Sequence, residues 1–265
     1  GVIVSVGPVH LELLGTVEAI AATKAELIRA LPAGGTAVIP AGERLLEPHL
    51  RQDVETLTFG EGGDVRMLGA ERQRVEIDLQ GETITLRVNF EQAHLRGNLL
   101  AAVAAARAVG VRPEGAVELA LSPGRGERVE LASGVMLIDD CYNANPMSMR
   151  AALDDLAATA ERQSRARRVA ILGDMLELGE REGEFHAQIG QAAKHAGVDL
   201  LVTVGPHAEA MSDTFDGTVH RARNASDAAE LAPELLRSGD VVLVKGSRAV
   251  GLELVCRVLR NGTRG

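Results

Sequence analysis

Residues 136–153, MLIDDCYNANPMSMRAAL, run from an apolar segment into an amide-rich loop and then into a second apolar pattern opened by Pro146. The apolar residues Met136 to Ile138 are followed by Asp139 and Asp140, then by Tyr142, Asn143 and Asn145. The spacing shifts from strand-like to helical across the loop, which marks a strand-to-helix junction. Proline suits the first position of a helix because its fixed φ is already helical. Two explanations fit so much polar capacity at one strand end. Either Asp140 caps the helix and the asparagines are turn residues tolerating left-handed geometry, or the strand end is a ligand site.

Working outward, the same rhythm continues to the C-terminus. The runs VMLIDD, RRVAILGD, LLVTVG, VHRA and DVVLVKGS read as strands, separated by helical patterns around FHAQIGQAAKHAG, HAEAMSD, DAAELAPELL and GLELVCRVL. Strands alternating with helices predict a doubly wound, mostly parallel α/β sheet, and nearly continuous apolar strands fit burial on both faces. Ligands of such sheets bind at the carboxyl ends of the strands. Two further polar ends, ILGDMLELG and LVKGSR, would therefore join the first, the latter adding Lys245, Ser247 and Arg248. The Arg-rich ERQSRARR, residues 161–168, reads as a solvated helix end or loop rather than a nucleic-acid patch.

Upstream, VIVSV, the helical VEAIAATKAELIRAL and TAVIP predict a parallel βαβ unit, with TLTFG and VRMLG as further strands. RVEIDL and TITLRVNF, on either side of QGE, predict an antiparallel hairpin, and GNLLAAVAAARAVGV a long helix. The punctuated LSPGRGER places a domain boundary near residue 123, giving domains 1–123 and 124–265. A buried-strand pattern that opens at residue 2 without a turn or cap leads to the expectation that the chain is the C-terminal part of a longer protein.

Composition narrows the function classes. The chain has 265 residues, 46% hydrophobic and 25% charged, as expected of globular domains. With 2% aromatic residues, no tryptophan and one tyrosine, it lacks stacking platforms for single-stranded nucleic acid. A net charge of -9 also argues against a phosphate-backbone partner. Cys141 and Cys256 have no metal-type spacing and read as packing thiols in a reducing, cytoplasmic setting. No run approaches 18 uninterrupted apolar residues, so no membrane insertion is expected, and GVIVSVGPVH has none of the features of a signal peptide. The partner expected is a small molecule.

GPVHLE, with EAIAATKAEL downstream, places His10 after a strand and a Gly-Pro turn and Lys24 among apolar helix residues. Together with IDDCYNANPMSMRAAL, VAILGDMLELGE and VLVKGSR, these segments resemble the Mur ligases, the ATP-dependent amide ligases of peptidoglycan synthesis. The strand-end motifs look like those of the branch that adds D-alanyl-D-alanine. HLRGNLLAAVAAA is similar to the family's Asn-containing helix near the adenine, and GRGERVE to its linker into the last domain. The resemblance implies the second half of a central ATPase domain followed by a complete Rossmann-like C-terminal domain. The family's phosphate-binding loop, G-x-x-x-x-G-K-[ST], is missing from this sequence.

The resemblance implies ATP and Mg²⁺ as cofactors, UDP-MurNAc-tripeptide and D-Ala-D-Ala as substrates, and a monomer. It implies that His10 ligates a magnesium ion directly or through water and that Lys24 is carbamylated to supply an anionic oxygen. Asn98 would read the adenine edge or serve as a helix cap, Arg125 would reach the nucleotide phosphates on domain closure, and Asp140 would contact the ribose. Tyr142, Asn143 and Asn145 would face the incoming dipeptide in an inter-domain cleft. Lys245, Ser247 and Arg248 would bind its carboxylate, Lys245 and Arg248 alternatively neutralising phosphate or Arg248 capping carbonyls. Other Mur ligases, a folylpolyglutamate synthase-like enzyme, and a non-catalytic nucleotide- or partner-binding fragment are the competing readings.

Overall fold

The computed structural model describes residues 1–163 and 166–262, and the chain divides between Ala120 and Leu121 into two compact units. The first contains a mixed six-stranded sheet whose strands lie in sequence order: β1 (Thr36–Pro40), β2 (Glu55–Phe59), β3 (Val65–Glu71), β4 (Arg74–Leu79), β5 (Glu82–Val88) and β6 (Gly115–Val117). β1 and β2 pair in parallel, and β2 joins β3 through the single pair Phe59↔Val65. β3, β4 and β5 form an antiparallel meander, and β6 lies parallel to β5.

The expected hairpin is β4–β5. Its loop is only Gln80 and Gly81, because Leu79 already pairs with Glu82. Both loop residues have positive φ, 55° and 89°, as a tight two-residue hairpin turn demands. Ile84, Leu86 and Val88 alternate with exposed residues along β5. They share one core with Leu99, Leu100, Val103 and Ala104 of the helix α4 (Ala93–Ala108).

The strand expected over VIVSV is reduced to one parallel bridge, Val2↔Val38. Its hydrogen bonds, Ile3 N to the Val38 carbonyl and Val38 N to the Gly1 carbonyl, keep the parallel sense of the predicted βαβ unit. A short α1 (Leu11–Leu14) comes first, and the helix expected over residues 17–31 is broken into α2 (Val17–Lys24) and α3 (Glu26–Ala30). Thr16 caps α2, accepting from Ala19 N, and Arg51 donates Nη1 to the carbonyls of Ile28, Arg29 and Leu31, satisfying the end of α3.

The second unit is the doubly wound sheet. Its strands are β7 (Glu127–Glu130), β8 (Met136–Asp139), β9 (Arg168–Gly173), β10 (Leu200–Val204), β11 (Thr218–Ala222) and β12 (Val241–Lys245). They lie in the order β11-β10-β9-β12-β8-β7, all parallel except the antiparallel edge strand β7, which is formed by part of the expected linker GRGERVE. β10 and β12 are buried along their whole length. The helices are α5 (Pro146–Arg162), α6 (Glu182–His195), α7 (Glu209–Ser212), α8 (Ala225–Leu235) and α9 (Glu253–Asn261). β12 returns between β8 and β9, and so brings the sequence KGSR between the carboxyl ends of the two strands that carry DDCYN and GD.

Part of ERQSRARR, Ser164 and Arg165, lies outside the described residues. The remainder is not merely solvated. Arg167 makes a two-pronged pair with Asp240 and donates to the Leu235 carbonyl, while Arg168 donates to the Ala196 carbonyl and Glu161. These arginines stitch loop ends of the unit together.

Candidate active site

At the carboxyl end of β8 the chain turns through Asp140 to Asn145 into α5. Lys245, at the end of β12, is buried with 3% of its side chain exposed. Its Nζ donates to Asp140 Oδ2 at 2.7 Å and to the Asn143 carbonyl at 2.9 Å. A buried ammonium needs such partners, because desolvation without them costs several kcal/mol. Ser247 extends the same fastening. Its Oγ accepts from Leu176 N at 2.9 Å, and its backbone N–H donates to the Asp174 carbonyl at 2.9 Å. The loops after β8, β9 and β12 are thereby tied to one another.

Several expected roles change on this geometry. Asp140 is not the helix cap; Asn145 is, accepting from Ser148 N while Ser148 Oγ accepts from Asn145 N, a complete capping box. Neither Asn143 nor Asn145 is left-handed, since the non-glycine residues with positive φ among those described are His10, Arg72, Gln80 and Glu177. Asn143 Oδ1 instead accepts from Ala144 N. Lys245 and Ser247 were expected to bind a carboxylate, but both are buried in contacts that position the loop.

The exposed groups include Tyr142, Asn143 and two arginines, Arg125 and Arg248. Tyr142 is 40% exposed. The guanidinium of Arg125 lies 4.1 Å from its ring centroid and that of Arg248 5.1 Å. Cations over the face of a phenol are attracted by its quadrupole. The arrangement presents two positive charges around one aromatic ring, two residues along the chain from the Asp140 that Lys245 holds.

The carboxyl end of β9, the polar end ILGD, is built around Asp174 and a histidine from α6. Asp174 is buried and its Oδ1 accepts from Ala208 N at 2.6 Å. Gly205 is required opposite it, because a Cβ there would collide with the Asp174 carboxylate and its φ is +103°. His186, fully buried on α6, accepts from Met175 N at Nε2 and meets the Glu182 carbonyl at Nδ1. The acceptor role of Nε2 fixes the neutral tautomer with the proton on Nδ1, and burial pushes the imidazole pKa down. The acid in ILGD was visible as a polar strand end, but a histidine inside an amphipathic helix carries no comparable signal.

In the first unit, His10 is exposed and left-handed, φ 55° and ψ 34°, immediately before α1. Lys24 is half-buried in the last residue of α2, with Ala21 and Ile28 buried and Leu27 exposed nearby in sequence. Asn98 lies inside α4, which begins at Ala93, so it is not a cap; its side chain is exposed on the helix surface.

The two units, one with a mixed sheet and one with a doubly wound sheet whose strand ends are polar, define an α/β protein. Residues 1–106 match the model of the Mur ligase middle domain and residues 124–248 that of the Mur ligase, glutamate ligase domain. The chain belongs to the Mur ligase family. It is similar to the UDP-N-acetylmuramoyl-tripeptide--D-alanyl-D-alanine ligase of Synechocystis, 33% identical over 96% of this chain and 56% of that protein. It is also similar to the ligase of the same name from Bacillus subtilis, 29% identical over 97% of this chain and 58% of that one. Among solved structures, MurF ligase from Thermotoga maritima in complex with ADP superposes with a TM-score of 0.82 at 27% identity, covering 98% of this chain and 61% of that one. The chain thus spans between half and two thirds of the length of these relatives. Among the described residues no helix is long and apolar enough to cross a membrane.

Proposed function

We propose that the chain supplies binding and catalytic residues of an ATP-dependent ligase that joins D-alanyl-D-alanine to UDP-MurNAc-tripeptide. The observation that carries this reading is the strand-end surface of the second unit, where Arg125 and Arg248 flank exposed Tyr142 on a loop fastened by Asp140 and Lys245. Both partners in the first step are anions. The acceptor carboxylate attacks the terminal phosphorus of ATP, giving an acyl phosphate and ADP. The neutral amine of the dipeptide then adds to the acyl carbon, and collapse of the tetrahedral adduct breaks the C–O bond and releases phosphate. Fixed positive charge lowers both barriers by meeting charge where it accumulates.

In this reading Arg125 holds nucleotide phosphate, and Arg248 pairs with the dipeptide carboxylate, the planar guanidinium matching it in two-pronged fashion. Tyr142 and Asn143 line the dipeptide's path. Asp140, oriented by Lys245, accepts from the ribose hydroxyls, while Asn145, Ser247 and Lys245 are positioning residues. Asn98 offers the adenine edge an exposed amide that donates and accepts. His10 and Lys24 fit magnesium only if Lys24 is carbamylated, because an ammonium has no lone pair whereas a carbamate offers hard oxygens. Bound there, magnesium would neutralise phosphate charge. The buried, free thiols of Cys141 and Cys256 support a reducing, cytoplasmic setting.

The test is an amine panel with the complete protein, ATP and UDP-MurNAc-tripeptide, read by product mass. D-Ala-D-Ala is expected to be the amine incorporated. Preference for L-glutamate on a folate acceptor would move the protein to the folylpolyglutamate synthase type, and no ATP-dependent amide with any amine would overturn the reading.

A further inference from the structure

Cys141 and Cys256 are 115 residues apart in sequence, yet they meet. Cys141 directly follows Asp140 at the end of β8, and Cys256 lies on α9. The two Sγ atoms and a carboxylate oxygen of Asp139 lie within 4.8 Å of one another, and all three residues are buried. A further observation concerns Asp139. Its Oδ2 accepts from Arg260 Nη2 at 2.8 Å, but Oδ1 is buried with no hydrogen-bond partner among the described residues. Such an orphaned oxygen is costly unless another group completes it.

We propose that Asp139, Cys141 and Cys256 form a binding site for one thiophilic divalent cation of the zinc or cadmium type. Two thiolates and one carboxylate are the donor set that such ions prefer, and three protein ligands leave a fourth position. Zinc–sulfur bonds of about 2.3 Å put tetrahedral sulfur pairs about 3.8 Å apart, so sulfurs within 4.8 Å of each other need contract by at most about 1 Å. Two thiolates, one carboxylate and a divalent ion sum to one negative charge, which is offset by the Arg260 guanidinium that Asp139 shares with Glu127. Cysteine binds metal as the thiolate, so binding releases protons and affinity falls with falling pH. Because Cys141 immediately precedes Tyr142, occupancy would fix the start of the strand-end loop to α9.

The site is distinct in chemistry from the magnesium position of the ligase reading, and its test needs no activity. The full 265-residue chain is titrated with Co²⁺ and Cd²⁺ after reduction. A saturable one-to-one complex is expected, with thiolate-to-metal charge-transfer absorption and tetrahedral Co²⁺ bands. Millimolar Mg²⁺ should not compete. Cys141→Ala and Cys256→Ala, each checked for native circular dichroism, should lower affinity at least a hundredfold. X-ray absorption at the cadmium edge of the unmutated protein covers the case in which a variant does not fold: two sulfurs are expected in the first shell. Fewer than two sulfurs, no charge-transfer band, or undiminished binding in both folded variants would overturn the proposal.

Discussion

At the scale of single residues, the side chain with the strongest obligations is Lys245. Its ammonium is buried against Asp140 and the Asn143 carbonyl, so removing Asp140 leaves a desolvated cation with one neutral partner. Asp140→Ala is expected to destabilise the protein by about 3 kcal/mol, the lower end of the range for breaking a buried pair, because Asp140 itself retains some solvent. Lys245→Met, which leaves a carboxylate able to turn to water, should cost about 1 kcal/mol, and the double variant should be less destabilised than Asp140→Ala alone. Urea unfolding of the three variants measures the coupling; strict additivity would mean that the pair contributes nothing. His186 gives a second prediction, this one in pH. Burial holds its folded-state pKa below the unfolded value of about 6.5. The neutral form is thus stabilised by folding, and the contribution is present above about pH 6.5 and lost as pH falls through the lowered folded value. Between about pH 7 and 5 the unmutated protein should lose more stability than His186→Gln; parallel curves would show that the ring does not titrate with unfolding.

Between elements, the tightest joint is that of α6 with α7. Gly190, inside α6, is buried, and a Cβ there would overlap the Met211 carbonyl oxygen and Thr214 Oγ1. An alanine in a helix normally gains about 1 kcal/mol over glycine. Here backbone must move instead, so Gly190→Ala should destabilise by about 2 kcal/mol, as overpacking does, with a lowered Tm on calorimetry. A neutral or stabilising result would mean that α7 yields freely. The elements of the second unit were the legible ones. Val241 to Lys245 or Leu200 to Val204 can only be buried strands, and Pro146 announces α5. VIVSV misled because apolar content alone does not supply the hydrogen-bonded neighbours that make a strand; the segment finds a single bridge. β7 and β6 were missed since ERVE and GAV are too short for alternation to be read. At the site, the strand-end polar residues were visible, but their partners were not. Asn145 rather than Asp140 as cap, Lys245 turned inward, and Cys141 beside Cys256 are facts of three dimensions that depend on β12 inserting between β8 and β9.

For the whole molecule, the sequence holds no Gly-x-x-x-x-Gly-Lys-Ser/Thr loop, the usual backbone cradle for ATP phosphates. The 265-residue chain assayed by itself is therefore expected to form no amide from ATP, UDP-MurNAc-tripeptide and D-Ala-D-Ala, and robust product from it would refute the assignment of phosphate binding to that loop in the complete protein. The stacking of Arg125 and Arg248 around Tyr142 has an optical consequence. The chain contains one tyrosine and no tryptophan, so its near-ultraviolet emission comes almost wholly from a single fluorophore, and that fluorophore stands at the proposed binding surface. No label is needed to watch this loop. A phosphate or carboxylate ligand that draws either guanidinium off the ring should change the emission intensity saturably, with a midpoint equal to the calorimetric Kd, and Arg248→Ala should alter the ligand-free signal. Heat released on binding with no change in emission would show that the ligand bypasses Tyr142, turning the protein's single tyrosine into the arbiter of where its substrates sit.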